Sequence, residues 1–516
     1  MTLPKNKQAG VCLHLTSLPG QFGIGEIGAA AREFIDAMVA MNLSVWQFLP
    51  AGPTAYGDSP YQPLSTFAGN EMLIDIEALT QLGLLTAHET DALRRLPHAN
   101  IDYGALIPLK IALLSKAAER FPAVANDSLK YEFDRFLQAH DQRWLHDYAL
   151  FRVLKTLHGE RPWPEWRPAF VRRDTASMQK LESSFGDSIK NIKIQQFFFH
   201  HQWNALHTYA TEHGVQLFGD MPIYIALDSA DAWAHPELLR ISATGEPQYV
   251  AGVPPDYFSA DGQLWGNPLY DWDYHAKTDY KWWTERLVHA ASQADMVRID
   301  HFRGFESYWS VPAEAPTARD GQWEAGPGDA IFDAIRTAIG KVPVVAEDLG
   351  LITAEVEELR DRQQIPGMRV LQFEVPEDHF DLAAIPENCV CYTGTHDNDT
   401  TLGWYIGKPD DTRSKTEIED FQHRVLARTA GQPETVHNDM INLAFASAAK
   451  LAIAPLQDYL GLSSAARLNT PGTTGDNWQW RVTPEQLNQA LYVSVRAMTN
   501  KAERGISCNT AVTSSS

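Results

Sequence analysis

The sequence is poor in cysteine, in basic residues and in long apolar runs, and each shortage removes a class of protein. Cysteine occurs at four positions, Cys12, Cys389, Cys391 and Cys508, with no Cys-x-x-Cys pair. Four thiols in 516 residues make no disulfide framework, and the missing pair spacing argues against structural zinc and thioredoxin-like chemistry. Cys389-Val-Cys391 lies in an apolar run and reads as core. Lys and Arg total 43 against 65 Asp and Glu, a formal net charge of −22. A surface so acidic repels phosphate backbones and anionic lipid, which argues against nucleic-acid and membrane partners. The most apolar long stretch, Ile441 to Leu456, is interrupted by Asn442, Ser447, Lys450 and Pro455. It falls short of the roughly 20 continuous apolar residues that a spanning helix needs. Val11–Leu15 is too short and too polar for a signal-peptide core. A reducing, cytoplasmic setting is therefore expected.

What the chain does have is aromatic residues (15 Trp, 17 Tyr and 22 Phe) and a repeated alternation of element types. At roughly 100–200 residues per domain, its length suggests about three domains, or one large barrel with insertions. Short apolar runs recur at Val11–Leu15, Trp46–Leu49, Val215–Phe218, Met296–Ile299, Val342–Val345, Met368–Phe373, Cys389–Tyr392 and Leu451–Ile453. Runs of this length without alternation are what strands buried on both faces look like. Helical patterns such as Ala29–Met41, Lys281–Ala291, Ala330–Ile339 and Ala354–Arg362 lie between them. Eight such β–α units predict an α/β fold of the (β/α)8 TIM-barrel type, with large, mainly helical insertions at the C-terminal face of the strands. An open doubly wound sheet is the alternative, but no GxGxxG follows an early strand.

The uneven strand spacing locates the insertions. Residues 1–504 read as one catalytic domain. Residues 75–212, after the second strand, read as a helical subdomain with helices at Ile76–Leu84, Glu89–Arg95, Tyr103–Arg120, Ser128–Thr156 and Met178–Thr211. Residues 221–280, after the third strand, are rich in Pro, Gly, Asp and aromatics and read as a loop-rich lid. A last amphipathic helix, Pro484 to Ala502, precedes a polar tail, 505–516, expected to be disordered.

In such a barrel the reacting groups come from the C-terminal ends of the strands. The fourth strand ends Met296-Val-Arg-Ile-Asp-His-Phe-Arg-Gly304, the fifth Val344-Val-Ala-Glu-Asp-Leu-Gly350, and the seventh leads into Thr395-His-Asp-Asn-Asp-Thr400. Three strand ends thus deliver carboxylates to one mouth. Arg298 and Asp300 are two apart and share a face, so the guanidinium is expected to hold Asp300 ionised, as a nucleophile requires. Glu347 and Asp348 are adjacent, so only one faces the axis. Glu347 follows the apolar run directly and is the candidate general acid, protonated in a desolvated site among other carboxylates. Asp397, beside His396, supplies a third carboxylate to stabilise positive charge. One ionised carboxylate, one carboxylic acid and an oxocarbenium-like transition state define glycoside chemistry. Any one of these acids alone would more often be a cap or an ion-pair partner; three at strand ends reverse that.

Together these residues resemble the 4-α-glucanotransferases called amylomaltases or disproportionating enzymes, of the α-amylase clan. The resemblance spans nearly the whole chain. It runs from Gly10-Val-Cys-Leu-His-Leu-Thr-Ser-Leu-Pro-Gly20 and Trp46-Gln-Phe-Leu-Pro50 through Tyr56-Gly-Asp-Ser-Pro-Tyr61 and Phe218-Gly-Asp-Met-Pro-Ile-Tyr224. Gly252-Val-Pro-Pro-Asp256, Gln263-Leu-Trp-Gly-Asn-Pro268, the acidic strand ends and Asn469-Thr-Pro-Gly472 follow in order. The resemblance implies a retaining transferase moving α-1,4-linked segments from a glucan donor to a sugar acceptor, with cyclic glucans as further products and neither metal nor organic cofactor. A retaining hydrolase is the alternative. The implied roles are Asp300 nucleophile, Glu347 general acid/base and Asp397 transition-state stabiliser. Arg298, His396, Tyr56 and Asp220 hold the reacting sugar, Gln263 and Trp265 lie on the loop crossing the site, and Asn469 lines the cleft. Leu264 and Ala260-Asp261 depart from the more polar residues common on that loop, which bears on acceptor preference. The chain resembles the short form, without an N-terminal carbohydrate-binding extension.

Other residues keep two readings. His14 is a structural hydrogen bonder or a site residue. His301 orients neighbours within the sugar-binding set, and Tyr257 falls on a loop aimed at the site. His200 and His201 read as packing and surface, not metal ligands. Trp163, Trp166, Trp282 and Trp283 could stack on sugars, although packing is the commoner use of such residues. A metal-dependent amidohydrolase barrel would want a His-x-His pair early, and His14 stands alone.

Overall fold

Each of the eight apolar runs contributes one parallel strand: β1 (Gln8–Cys12), β2 (Val45–Gln47), β3 (Gln216–Pro222), β4 (Met296–Asp300), β5 (Val344–Ala346), β6 (Gly367–Val370), β7 (Cys389–Tyr392) and β8 (Leu451–Pro455). The structure is a computed structural model describing residues 3, 6–255, 260–342, 344–407, 413–473 and 475–506, with the side chain of Tyr56 outside that set. The strands pair in the order β6-β7-β8-β1-β2-β3-β4-β5. The Ala346 amide donates to Pro366 O at 2.8 Å, bringing β5 to β6 and closing the sheet into the (β/α)8 barrel.

Alternation along each strand explains why the runs are mostly apolar at odd and even positions alike. Cys12, Val45, Phe218, Met296, Val345, Met368, Val390, Tyr392 and Ile453 pack together inside the barrel. Val11, Trp46, Leu217, Val297, Ile299, Val344, Cys391 and Ala452 face the surrounding helices. Both faces are dry, so both are apolar.

The local details depart from expectation in identifiable ways. The stretch 128–156 is two helices, Asp127–His140 and His146–Leu157, joined by the π turn Asp141–Leu145. Residues 89–95 form no α-helix but sit in two short 3-10 turns, Ala87–Thr90 and Leu93–Arg95. There Glu89 is drawn back to the Thr86 amide (2.9 Å) and held by Arg120 (2.8 Å) and Lys116 (2.9 Å), tying the segment to the next helix. The loop-rich stretch after β3 holds two strands, Tyr249–Val253 and Gln263–Pro268. With Ser307–Pro312 and Gln322–Ala325 from the β4–β5 connection they form a four-stranded antiparallel sheet, which the glycine and proline of Gln263-Leu-Trp-Gly-Asn-Pro268 disguise. At the C-terminus, Gln489–Lys501 packs on Ala29–Met41, and the Ile506 amide donates to Asn42 Oδ1 at 2.8 Å. The remainder of the tail, 507–516, lies outside the described residues. Among the described residues no helix is long and apolar enough to cross a membrane.

Candidate active site

The barrel's inner columns lead directly to the carboxylates. Met296 points inside, so Arg298 and Asp300, two and four residues on, climb the same column. Register places Asp220 of β3 opposite Arg298. The buried Arg298 guanidinium reaches Asp220 Oδ1 and Oδ2 at 2.9 and 2.7 Å, and Asp300 Oδ1 at 2.7 Å. A guanidinium forked between two carboxylates fixes the Asp300 side chain in position. Tyr61 completes the β3 side: its hydroxyl donates to Asp220 Oδ2 at 2.9 Å, and its ring stacks on His396 at 5.1 Å and 13°.

Glu347 arrives by the same logic, two residues beyond the inward-facing Val345. Its Oε2 accepts from the His301 amide at 2.7 Å and its Oε1 from the Leu349 amide at 3.0 Å. His301 adopts a left-handed conformation, φ 59°, which turns its N–H from the end of β4 toward the glutamate. Asp348 points elsewhere: its Oδ1 accepts from the Met368 amide at 2.7 Å and its Oδ2 pairs with Arg360. The two adjacent carboxyls are thus sorted, one into the mouth and one into the β5–β6 junction.

Asp397 is held from the β8 side. Asn469 Nδ2 donates to its Oδ1 at 2.6 Å, with His396 Nε2 3.4 Å from the same oxygen. Arg467 bonds the carbonyls of Asp397 (2.5 Å) and Asn469 (2.7 Å), pinning both loops. From the accessory sheet, Trp265 sets its ring edge-on to His301 at 4.7 Å, and its Nε1 donates to Gln263 Oε1 at 3.1 Å. The structure therefore brings Asp220, Arg298, Asp300, His301, Glu347, His396, Asp397, Asn469, Gln263 and Trp265 around one mouth. The backbone of Tyr56 lies in the turn Tyr56–Asp58, and Tyr257 lies outside the described residues.

Burial raises both acids of the mouth. Burial pushes the Glu347 carboxyl up to about 8, with the Asp300 charge adding and Arg298 opposing. Burial also raises Asp300 above its ordinary value; Arg298 opposes this, while Asp220 and Asp397 add to it. This corrects the expectation that the neighbouring guanidinium sets Asp300 below its ordinary value: desolvation outweighs Arg298. The Asp300 charge is itself one of the causes that raise Glu347, so the two carboxyls act on each other's protons. Burial, helped by Arg303, lowers His301 to about 3, so its ring is neutral.

A pH profile follows. A general acid must be protonated and a nucleophile ionised, so kcat/KM should be bell-shaped. Its basic limb should fall near pH 8, and its acid limb should lie above the ordinary aspartate value of 3.8. Initial rates on maltotriose from pH 4 to 10 check this; a plateau extending past pH 9 would separate Glu347 from the proton transfer.

The alternative readings of the four tryptophans and of His200 and His201 resolve toward packing and surface contacts. Trp163, Trp166, Trp282 and Trp283 are all buried and offer no face to a sugar. His200 packs on Phe136 at 5.0 Å, and His201 pairs with Glu132 at 3.0 Å. His14 is buried and lowered to about 3 by burial and by His396, so it is neutral beneath the mouth. Tyr61 and Arg467 were not singled out by sequence reasoning. Tyr61 ends the quoted Tyr56–Tyr61 motif, which was the available signal. Arg467 had none, since its contacts are to backbone carbonyls.

A closed parallel barrel with an Arg-paired aspartate, a proton-holding glutamate and a second aspartate at its strand ends defines an enzyme equipped for glycoside chemistry. The 4-alpha-glucanotransferase family model matches residues 13–488. The chain is 43% identical over 494 residues to the 4-alpha-glucanotransferase of Streptococcus pneumoniae serotype 4, covering 94% of this chain and 95% of that one. Against the 4-alpha-glucanotransferase of Thermus thermophilus it is 43% identical over 514 residues, covering 98% and 100%. A solved amylomaltase from Streptococcus agalactiae, in complex with acarbose, superimposes with a TM-score of 0.91 at 34% identity, covering 97% of this chain and 100% of that one. The chain belongs to the 4-α-glucanotransferase family.

Proposed function

We propose that the protein disproportionates α-1,4-glucans by two displacements at Asp300. In the first, Glu347 gives its proton to the glycosidic oxygen as the bond from the anomeric carbon to that oxygen breaks. The Asp300 carboxylate forms the new bond to that carbon, and the reducing-end fragment leaves as a neutral alcohol. In the second, an acceptor sugar hydroxyl attacks the same carbon, its proton passes to Glu347, and Asp300 departs as carboxylate. Asp397 stabilises the oxocarbenium-like charge in both steps. Arg298, Asp220, His396, Asn469, His301 and Tyr56 position the sugar at the barrel mouth.

The observation that carries this reading is the paired geometry: an aspartate fixed by Arg298 at 2.7 Å at one strand end, and at the next a glutamate raised to about 8. Transfer over hydrolysis calls for water exclusion, and residues 221–280, with Gln263, Trp265 and Tyr257, are read as the lid that supplies it. The helical stretch 75–212 is read as an insertion on a single catalytic domain, residues 1–504. A reducing, cytoplasmic setting belongs to the same reading, supported by the buried free thiols of Cys12, Cys389 and Cys391. Maltotriose incubated with the protein should give glucose together with oligosaccharides longer than three units, with total reducing ends constant. Glucose plus maltose alone, with reducing ends rising steadily, would replace the transferase with a hydrolase.

A further inference from the structure

We infer that Trp323, with Leu351, forms a stacking platform for the acceptor glucan beyond the bond being made; this rests on the transferase reading above. Trp323 lies on the Gln322–Ala325 edge strand of the accessory sheet and is 40% exposed. Its position is fixed from two sides. The Arg303 guanidinium lies 3.9 Å from its ring centroid, and its cross-strand partner Trp309 meets it edge-on at 5.1 Å. Trp309 is itself anchored, donating Nε1 to Ala318 O at 2.7 Å. An exposed indole held this way loses little freedom when a ring stacks on it, and its flat apolar surface suits the C–H face of a pyranose.

The platform is built onto the catalytic turns. Arg303 is three residues after Asp300, is 5% exposed, and donates to Ser307 Oγ at 3.2 Å and to the carbonyl of Leu351. Leu351 is four residues after Glu347 and 61% exposed. Arg303 therefore clamps the β4 and β5 turns together and backs the indole, while Leu351 extends the apolar surface. Glu347 gives its proton to the leaving sugar and takes one from the incoming sugar. Surface attached to its own turn accordingly lies on the leaving-group and acceptor side. The hairpin below Trp323 is also tied to the proposed lid: the Ala318 amide donates to Asp261 O at 3.1 Å, and Arg319 pairs with the Asp261 carboxylate at 2.7 Å. The ligand this surface takes is a neutral α-1,4-glucan of two or more units, with rings after the first resting on Trp323.

The test is the acceptor-length dependence of transfer at fixed donor, comparing glucose, maltose, maltotriose and maltotetraose. Trp323→Ala should cut the advantage in kcat/KM of maltotetraose over glucose about tenfold, with the loss in acceptor KM. Trp323→Phe should restore most of it, and Leu351→Ser, at an exposed position, should lower it in the same direction. Loss that is equal for every acceptor marks a structural role and overturns the proposal, as does wild-type length dependence in Trp323→Ala. If wild-type protein transfers to no acceptor, the transferase reading itself fails; wild-type transfer with an unaltered Trp323→Ala ratio removes only the platform.

Discussion

Replacing Asp300 with Asn is expected to lower kcat/KM for maltotriose disproportionation by at least about 10³, or roughly 4 kcal/mol of barrier. The amide is nearly the same size and its oxygen can still accept from Arg298 Nη2, so the fold should stand and the thermal midpoint should move little. What disappears is the charged oxygen that attacks the anomeric carbon. A second signature separates this from general damage. The Asp300 charge is one of the causes that raise Glu347 to about 8, so removing it should lower the Glu347 titration. Carbon NMR of labelled glutamate carboxyls reads that shift directly. Near-normal disproportionation by the variant would remove Asp300 from the chemistry. A lost activity with an unmoved Glu347 titration would mean that the two carboxyls do not sense each other.

The same pair shows how far the sequence carries. All eight strands are visible because parallel strands coated on both faces leave short, largely apolar runs, and the period-two rule alone places Arg298 and Asp300 on one face. Glu347 over Asp348 was likewise legible, since Val345 fixes the inward parity and Glu347 continues it. The accessory sheet was not legible. Its strands are short, carry Gly252, Gly266 and Pro268, and come from two separate connections, so no local alternation announces them. Nor did the sequence say that desolvation would outweigh Arg298 at Asp300, because burial depth is a property of the assembled mouth. Tyr61 was missed for a related reason: its bond to Asp220 spans 159 positions, and nothing local marks a tyrosine as the partner of a distant aspartate. The π turn at Asp141–Leu145, too, interrupts a helix whose apolar period continues across it.

Replacing Glu347 with Gln should be as damaging for natural glucans and far less so for donors whose leaving group needs no proton. On maltotriose the loss should reach about 10³, because the scissile oxygen must depart unprotonated and the acceptor hydroxyl has no base. With a maltosyl fluoride the first displacement should still run, since fluoride leaves as an anion, and a covalent maltosyl adduct on Asp300 should accumulate. Azide, which needs no deprotonation, should then act as acceptor and give a product of retained configuration. The basic limb near pH 8 should vanish with the carboxyl that produces it. Glutamine can accept with one oxygen only, whereas Glu347 accepts from both the His301 and Leu349 amides. One amide therefore loses its acceptor, which costs about 1–3 kcal/mol of stability. Thermal denaturation must accompany the kinetics for that reason. A stable Glu347→Gln variant that loses first-turnover fluoride release and azide-supported turnover as fully as maltotriose turnover, or that keeps the basic limb, would transfer the acid/base role to another residue.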